Sequence, residues 1–96
     1  MRFADLIQRQ LAFFREDHAD LIEACNAAER TYDRAPRDEA EERYAEYLEL
    51  VEEGVDVLSE IRDAYGATLE QEARDAYEEA FDREVKRHLP RFGLGL

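Results

Sequence analysis

Four side chains of this sequence belong to types that do chemistry and stand where a helical pattern calls for apolar residues or packs closely beside them: His18, Cys25, Glu84 and His88. Imidazoles, thiolates and carboxylates pointing into the interior of a helical bundle bind zinc or iron, and an imidazole beside a carboxylate can also move protons. Glu84 and His88 are one helical turn apart and so share a face. Their spacing is neither the Glu-x-x-His of di-iron bundles nor the H-E-x-x-H of zinc hydrolases. His18, Glu84 and His88 are therefore candidate metal ligands with no metal motif around them. The plainer reading is a hydrogen-bonded His18–Glu84 pair that fixes helix register, with His88 at a helix end beside the negative pole of the dipole. Cys25 has no neighbouring base or helix N-terminus to favour the thiolate, and is expected to pack as a small apolar core residue. No glycine-rich phosphate loop, nucleophile elbow or Ser/His/Asp arrangement occurs. No catalytic residue and no cofactor are assigned on this basis, and the chain is read as a non-enzyme.

The elements that would position these residues are three long helices. Ile7, Leu11, Phe14, His18, Leu21, Cys25, Ala28 and Tyr32 follow one another at alternating steps of four and three, which predicts a first helix over about 4–33 with one continuous seam. Ala35-Pro36 breaks that pattern, because proline disfavours the α conformation in the residue before it and suits the first turn of a new helix. The second helix is expected over 36–65, with Ala40, Tyr44, Tyr47, Leu48, Val51, Val55, Leu58, Ile61 and Tyr65 on its apolar face. Gly66 stops it, and Thr68-Leu69-Glu70-Gln71 reads as a capping box that opens a third helix over 68–88. Pro90 closes that helix.

The expected fold is thus all-α: one domain over 1–89, followed by an apolar tail at 90–96 whose glycines weaken any helix, so that it either docks or frays. No segment alternates with period two, so strands are not expected. Short connections make consecutive helices antiparallel, an up-down-up three-helix bundle. Counting outward from the turns sets residue 18 opposite about 51 and 51 beside about 82, which would bring His18 and Glu84 into one layer with Cys25 near the level of His88. Phe3, Leu6, Phe13 and Ile22 widen the stripe of the first helix beyond what one neighbouring helix covers. Together with Phe92 of the tail they are partner-binding candidates, and the expected state is a homodimer that completes the core.

Ninety-six residues allow one domain with a modest core. The charge, 25 acids against 13 bases for a net −12, argues against nucleic acid and anionic lipid as partners. The longest apolar run, Leu11 to Phe14, is four residues, so no membrane span is expected. Asp5 and Arg9 interrupt the N-terminal apolar residues, which leaves no signal-peptide core, and the single cysteine suits a reducing cytoplasm. Residues 36–67 carry 3 bases and 11 acids, a net −8, against −2 for each flanking third. Glu39, Glu42, Glu46, Glu49, Glu53, Asp56, Glu60 and Asp63 form a stripe opposite the apolar seam of the second helix. The ordinary reading is a solvated outer face. The functional one is a docking strip for a basic partner or for diffusely bound divalent cations, since no D-x-D-x-D-G loop exists to wrap calcium.

Arg outnumbers Lys twelve to one within this acid-rich composition. In that respect the chain resembles the acidic, lysine-poor cytoplasmic proteins of salt-loving archaea, although a high-GC bacterium is another source of such arginine bias. The resemblance implies a salt-adapted surface and brings no active-site residue with it. The functional expectation is a non-enzymatic module for protein interaction and self-association. The alternatives are a small metal-binding or redox bundle and an acidic docking module for a basic partner. At 1 M salt the Debye length falls to about 3 Å, which quiets repulsion between neighbouring acids. Thermal unfolding followed by circular dichroism is expected to move upward by several degrees between dilute buffer and molar salt, and an unchanged midpoint would contradict the salt-adapted reading.

Overall fold

The computed structural model describes residues 2–96 as α1 (Ala4–Asp17), α2 (Ala19–Arg34), α3 (Ala40–Gly66), α4 (Gln71–His88) and the single turn α5 (Pro90–Gly93). No strand occurs among these residues, and none of the helices is long and apolar enough to cross a membrane. The all-α expectation holds, whereas three straight rods do not describe the chain. The helix expected over 4–33 bends at His18, whose φ of −117° and ψ of 31° leave the helical region. The break needs no loop, because His18 N–H still donates to Phe14 O at 2.9 Å and Ile22 N–H donates to His18 O at 3.1 Å. Neither proline nor glycine stands there, so the cause is tertiary: α1 lies on α4, α2 lies mainly on α3, and a straight rod cannot follow both.

The spine of the molecule is α3. On its N-terminal half α2 runs antiparallel, bringing Tyr32 to 5.1 Å from Tyr44 between ring centroids. On its C-terminal half α4 runs antiparallel, with Tyr65 at 4.9 Å from Tyr77 and an Arg62–Asp82 ion pair at 2.9 Å. Phe3 meets Tyr77 edge-on and sets α1 against α4. The fully enclosed core draws on each helix: Ile7 and Phe14 from α1, Cys25 from α2, Leu58 from α3, Tyr77, Phe81 and Val85 from α4, and Phe92 from α5.

Both expected helix starts move. α3 begins at Ala40 rather than Pro36, because Glu39 N–H closes a tight turn onto Pro36 O at 2.9 Å. α4 begins at Gln71 rather than Thr68, and the capping box is not made: the Thr68 hydroxyl donates backward to Tyr65 O at 2.6 Å. Glu70, in extended conformation, is the residue that precedes the helix. The Arg74 guanidinium donates to Gly66 O at the end of α3 and to Leu69 O in the connection that follows it.

The tail docks. After Leu89 the chain turns back as α5, and Phe92 enters the core with its ring edge-on to Phe14 at 5.6 Å. Its seat is Gly54, a glycine in the interior of α3, where a Cβ would stand 2.7 Å from Phe92 Cδ1 and closer still to Cε1. Gly93 lies on the backbone of Lys86 and Gly95 on Val55 in the same way. A glycine inside a helix costs about 1 kcal/mol relative to alanine, while burying a phenylalanine ring contributes about 1.5–3 kcal/mol, so the exchange favours the docked tail.

Helix propensity alone says that Gly54→Ala stabilises α3. The packing instead predicts a net loss of about 1–3 kcal/mol in urea unfolding, through overpacking against Phe92. In a Phe92→Ala background the same change is expected to reverse sign and stabilise by up to about 1 kcal/mol. A stabilising effect in the wild-type background would show that Phe92 does not occupy this notch.

Candidate functional site

The residues proposed as metal ligands do not converge. His88 Nε2 lies 3.0 Å from Glu84 Oε2, an i,i+4 pair at the end of α4 in which the imidazole is exposed and the carboxylate largely covered. His18 instead meets Asp17 at 3.3 Å and stacks on Phe14 at the bend between α1 and α2. Among the described residues no three His, Cys, Asp or Glu side chains group closely enough to hold a metal ion. The His18–Glu84 layer fails because the turn arithmetic assumed straight rods, and because Val85, fully enclosed, is the residue that faces the core at that turn of α4. Glu84 keeps 14% of its side chain exposed. Arg15 reaches across to donate to His88 O at 3.2 Å, covering the C-terminal end of α4.

Cys25 is enclosed, and burial pushes its thiol above the usual range despite the opposing charge of Arg91. A thiol held neutral and out of solvent is a packing residue. The same cause acts on Tyr77: burial raises its phenol to about 12, while its hydroxyl donates to Gln10 Oε1 at 2.9 Å.

The partner-binding candidates of the first helix are mostly packed within the protomer. Phe3 and Phe92 belong to the core, and Leu6 and Ile22 are half-buried against it. Phe13 alone remains open, at 60% exposure. Phe92 is withdrawn because Gly54 gives its ring a seat, and Phe3 because α4 offers it Tyr77.

The exposed apolar surface lies elsewhere. α3 has 27 residues and α4 only 18, and the Tyr65–Tyr77 and Arg62–Asp82 pairings anchor α4 to the C-terminal half of α3, so the N-terminal part of α3 has no α4 beside it. There α2 and α3 continue as a two-helix arm, which stretches the molecule to 51 × 22 × 19 Å. One edge of the arm carries Tyr32, Tyr44 and Leu48, each more than a third exposed. Toward the core this edge becomes Val51 and Val55, where the tail rests and Leu94 projects at 96% exposure. Leu48, Val51, Val55 and Leu94 line an open groove of about 480 Å³, with Glu52 and Asp56 beside it. Arg91, which also lines this groove, pins the tail by donating to Tyr47 Oη, Asn26 Oδ1 and Glu29 Oε1 at 3.1, 2.9 and 3.3 Å.

Neither Gly54 nor Arg91 was singled out by the sequence reading, although a glycine interrupting an apolar helix is itself a signal of close backbone approach. The uncovered edge was legible in principle from the unequal lengths of the second and third helices. No family model matches the chain, and no curated protein or solved structure shows significant similarity to it.

Because the folded pKa of Tyr77 exceeds the ordinary tyrosine value of 10.0, its burial stabilises the fold fully below pH 10 and loses that effect as pH rises toward about 12. Tyr77→Phe is expected to flatten the alkaline loss of stability across this window while costing about 1 kcal/mol or less at neutral pH. Urea midpoints measured from pH 7 to 11.5 check this, and parallel curves for the two proteins would contradict it.

Proposed function

We propose that this protein is a non-enzymatic helical interaction module of the cytoplasm, whose working surface is the α2–α3 arm and whose acidic exterior is adapted to salt. The observation that carries this reading is the apolar edge of Tyr32, Tyr44, Leu48 and Leu94, left uncovered where α4 ends short of α3. An edge with aromatic and aliphatic side chains adjoining a polar rim is the surface pattern of protein contacts. The reactive residue types support no comparable site: Cys25 is enclosed, and the two histidines pair with different carboxylates. Self-association remains within this reading, through the arm rather than through the packed flank of α1.

A photo-crosslinking side chain placed in turn at positions 48, 13 and 60 tests this in the natural host. Adducts of discrete mass are expected from position 48, with few from Phe13 and none from Glu60 on the outer face of α3. An adduct of twice the protomer mass would identify a second copy as the partner. Silence at 48, or equal labelling at 48 and 60, would overturn the reading.

A further inference from the structure

Resting on that interaction reading, we infer that the groove between Leu48 and Leu94 is a docking site for an amphipathic helix with basic flanks. The floor is apolar: Leu48, Val51 and Val55 of α3, continued outward by Tyr44 and closed at the other end by Leu94, Gly95 and Arg91, whose guanidinium is taken up by Tyr47, Asn26 and Glu29. Glu52 and Asp56 line it on the side toward the outer face of α3. Neither makes a salt bridge or side-chain hydrogen bond among the described residues, so both are available to a cation from outside.

Three observations fix the occupant. The chain's own tail shows what the arm accepts next to this groove, since residues 90–96 combine apolar side chains with one base, and that base is held by Glu29, Asn26 and Tyr47. The uncovered edge continues the interface the tail already makes with Val55. Charge then weighs against a second copy at low ionic strength: residues 36–67 carry a net −8, so a second copy would bring a similarly acidic arm against this one. A helix whose apolar stripe fills the floor and whose Lys or Arg residues reach Glu52 and Asp56 meets both demands. From Tyr44 to Val55 the edge spans about 17 Å at 1.5 Å per residue, room for about three helical turns.

The test uses the full chain at the lowest ionic strength at which its circular dichroism is native. The probe is a fluorescent 16-residue peptide of Leu, Ala and Lys with leucines at helical spacing, compared with a scrambled peptide of identical composition. Fluorescence anisotropy is expected to give a Kd in the micromolar range for the amphipathic peptide and binding at least about tenfold weaker for the scrambled one. Leu48→Gln, and separately Glu52→Gln with Asp56→Asn, are expected to weaken binding by about tenfold. Glu42→Gln with Glu60→Gln removes the same charge from the outer face and is expected to change it less than about twofold.

Equal affinity for both peptides, equal losses from the two charge-removing pairs, or indifference to Leu48→Gln would each overturn the proposal in favour of unspecific attraction. A peptide that fails to bind while position 48 still yields discrete crosslinks, including crosslinks to a second copy, overturns this occupant and leaves the interaction reading standing. Failure of both removes the two together.

Discussion

The ring of Phe92 lies against the glycine face of α3 and edge-on to Phe14, so one side chain from the C-terminal segment joins α1, α3 and the returning tail. A side chain at Gly54 would occupy the space the ring needs. Phe92 in turn fixes the segment around it: Gly93 settles on Lys86, Gly95 on Val55, and Arg91 is left pointing at Asn26, Glu29 and Tyr47. Each of these contacts demands the closeness that the previous one creates. The three glycines involved have ordinary negative φ values, so what they supply is absence of bulk rather than an unusual backbone.

That closure also explains the division of the molecule. With Phe14 committed to the Phe92 side of the core, α1 continues against α4, where Tyr77 takes Phe3 edge-on and Gln10 at its hydroxyl. α2 follows α3 instead, and the chain bends at His18 to permit both. One end of the molecule is therefore packed from several sides, while the other is a two-helix arm. Two antiparallel helices have too little mutual surface to enclose their apolar residues completely, which is why Tyr32, Tyr44 and Leu48 remain in view.

Electrostatics sharpen the contrast between the ends. Of the nine carboxylates within α3, Glu46 is clamped by Arg43 and Asp63 by Arg62. The other seven make no ion pair among the described residues. Exposed pairs of this kind contribute little to stability, so the acids of α3 are better understood by what surrounds them. Glu42, Glu49 and Glu60, opposite the seam, are exposed to solvent, whereas Asp56 stands at the edge of that stripe. Glu52 and Asp56 border apolar surface, and it is this adjacency, rather than the number of negative charges, that gives the interaction reading its direction.

The sequence by itself determined the all-helical class, the turns near Pro36 and Gly66, and most of the core. Its periodicity correctly marked Ile7, Leu11, Phe14, Cys25 and Leu58 as inward, because the helical repeat is set by local geometry that every residue reports. Helix starts were less legible: the Thr68 hydroxyl can serve either the helix after it or the one before, and only the neighbouring carbonyl of Tyr65 decided which. The bend at His18, the seat of Phe92 on Gly54 and the separation of His18 from Glu84 had no local signature. Each depends on which helix lies against which, and that choice is made by long-range packing between residues far apart in the chain. For the same reason the chemistry-bearing residues and the exposed surface parted company. Residue type announced His18, Glu84 and His88, whereas the open edge of Tyr44, Leu48 and Leu94 exists only because one helix is shorter than the helix it packs on.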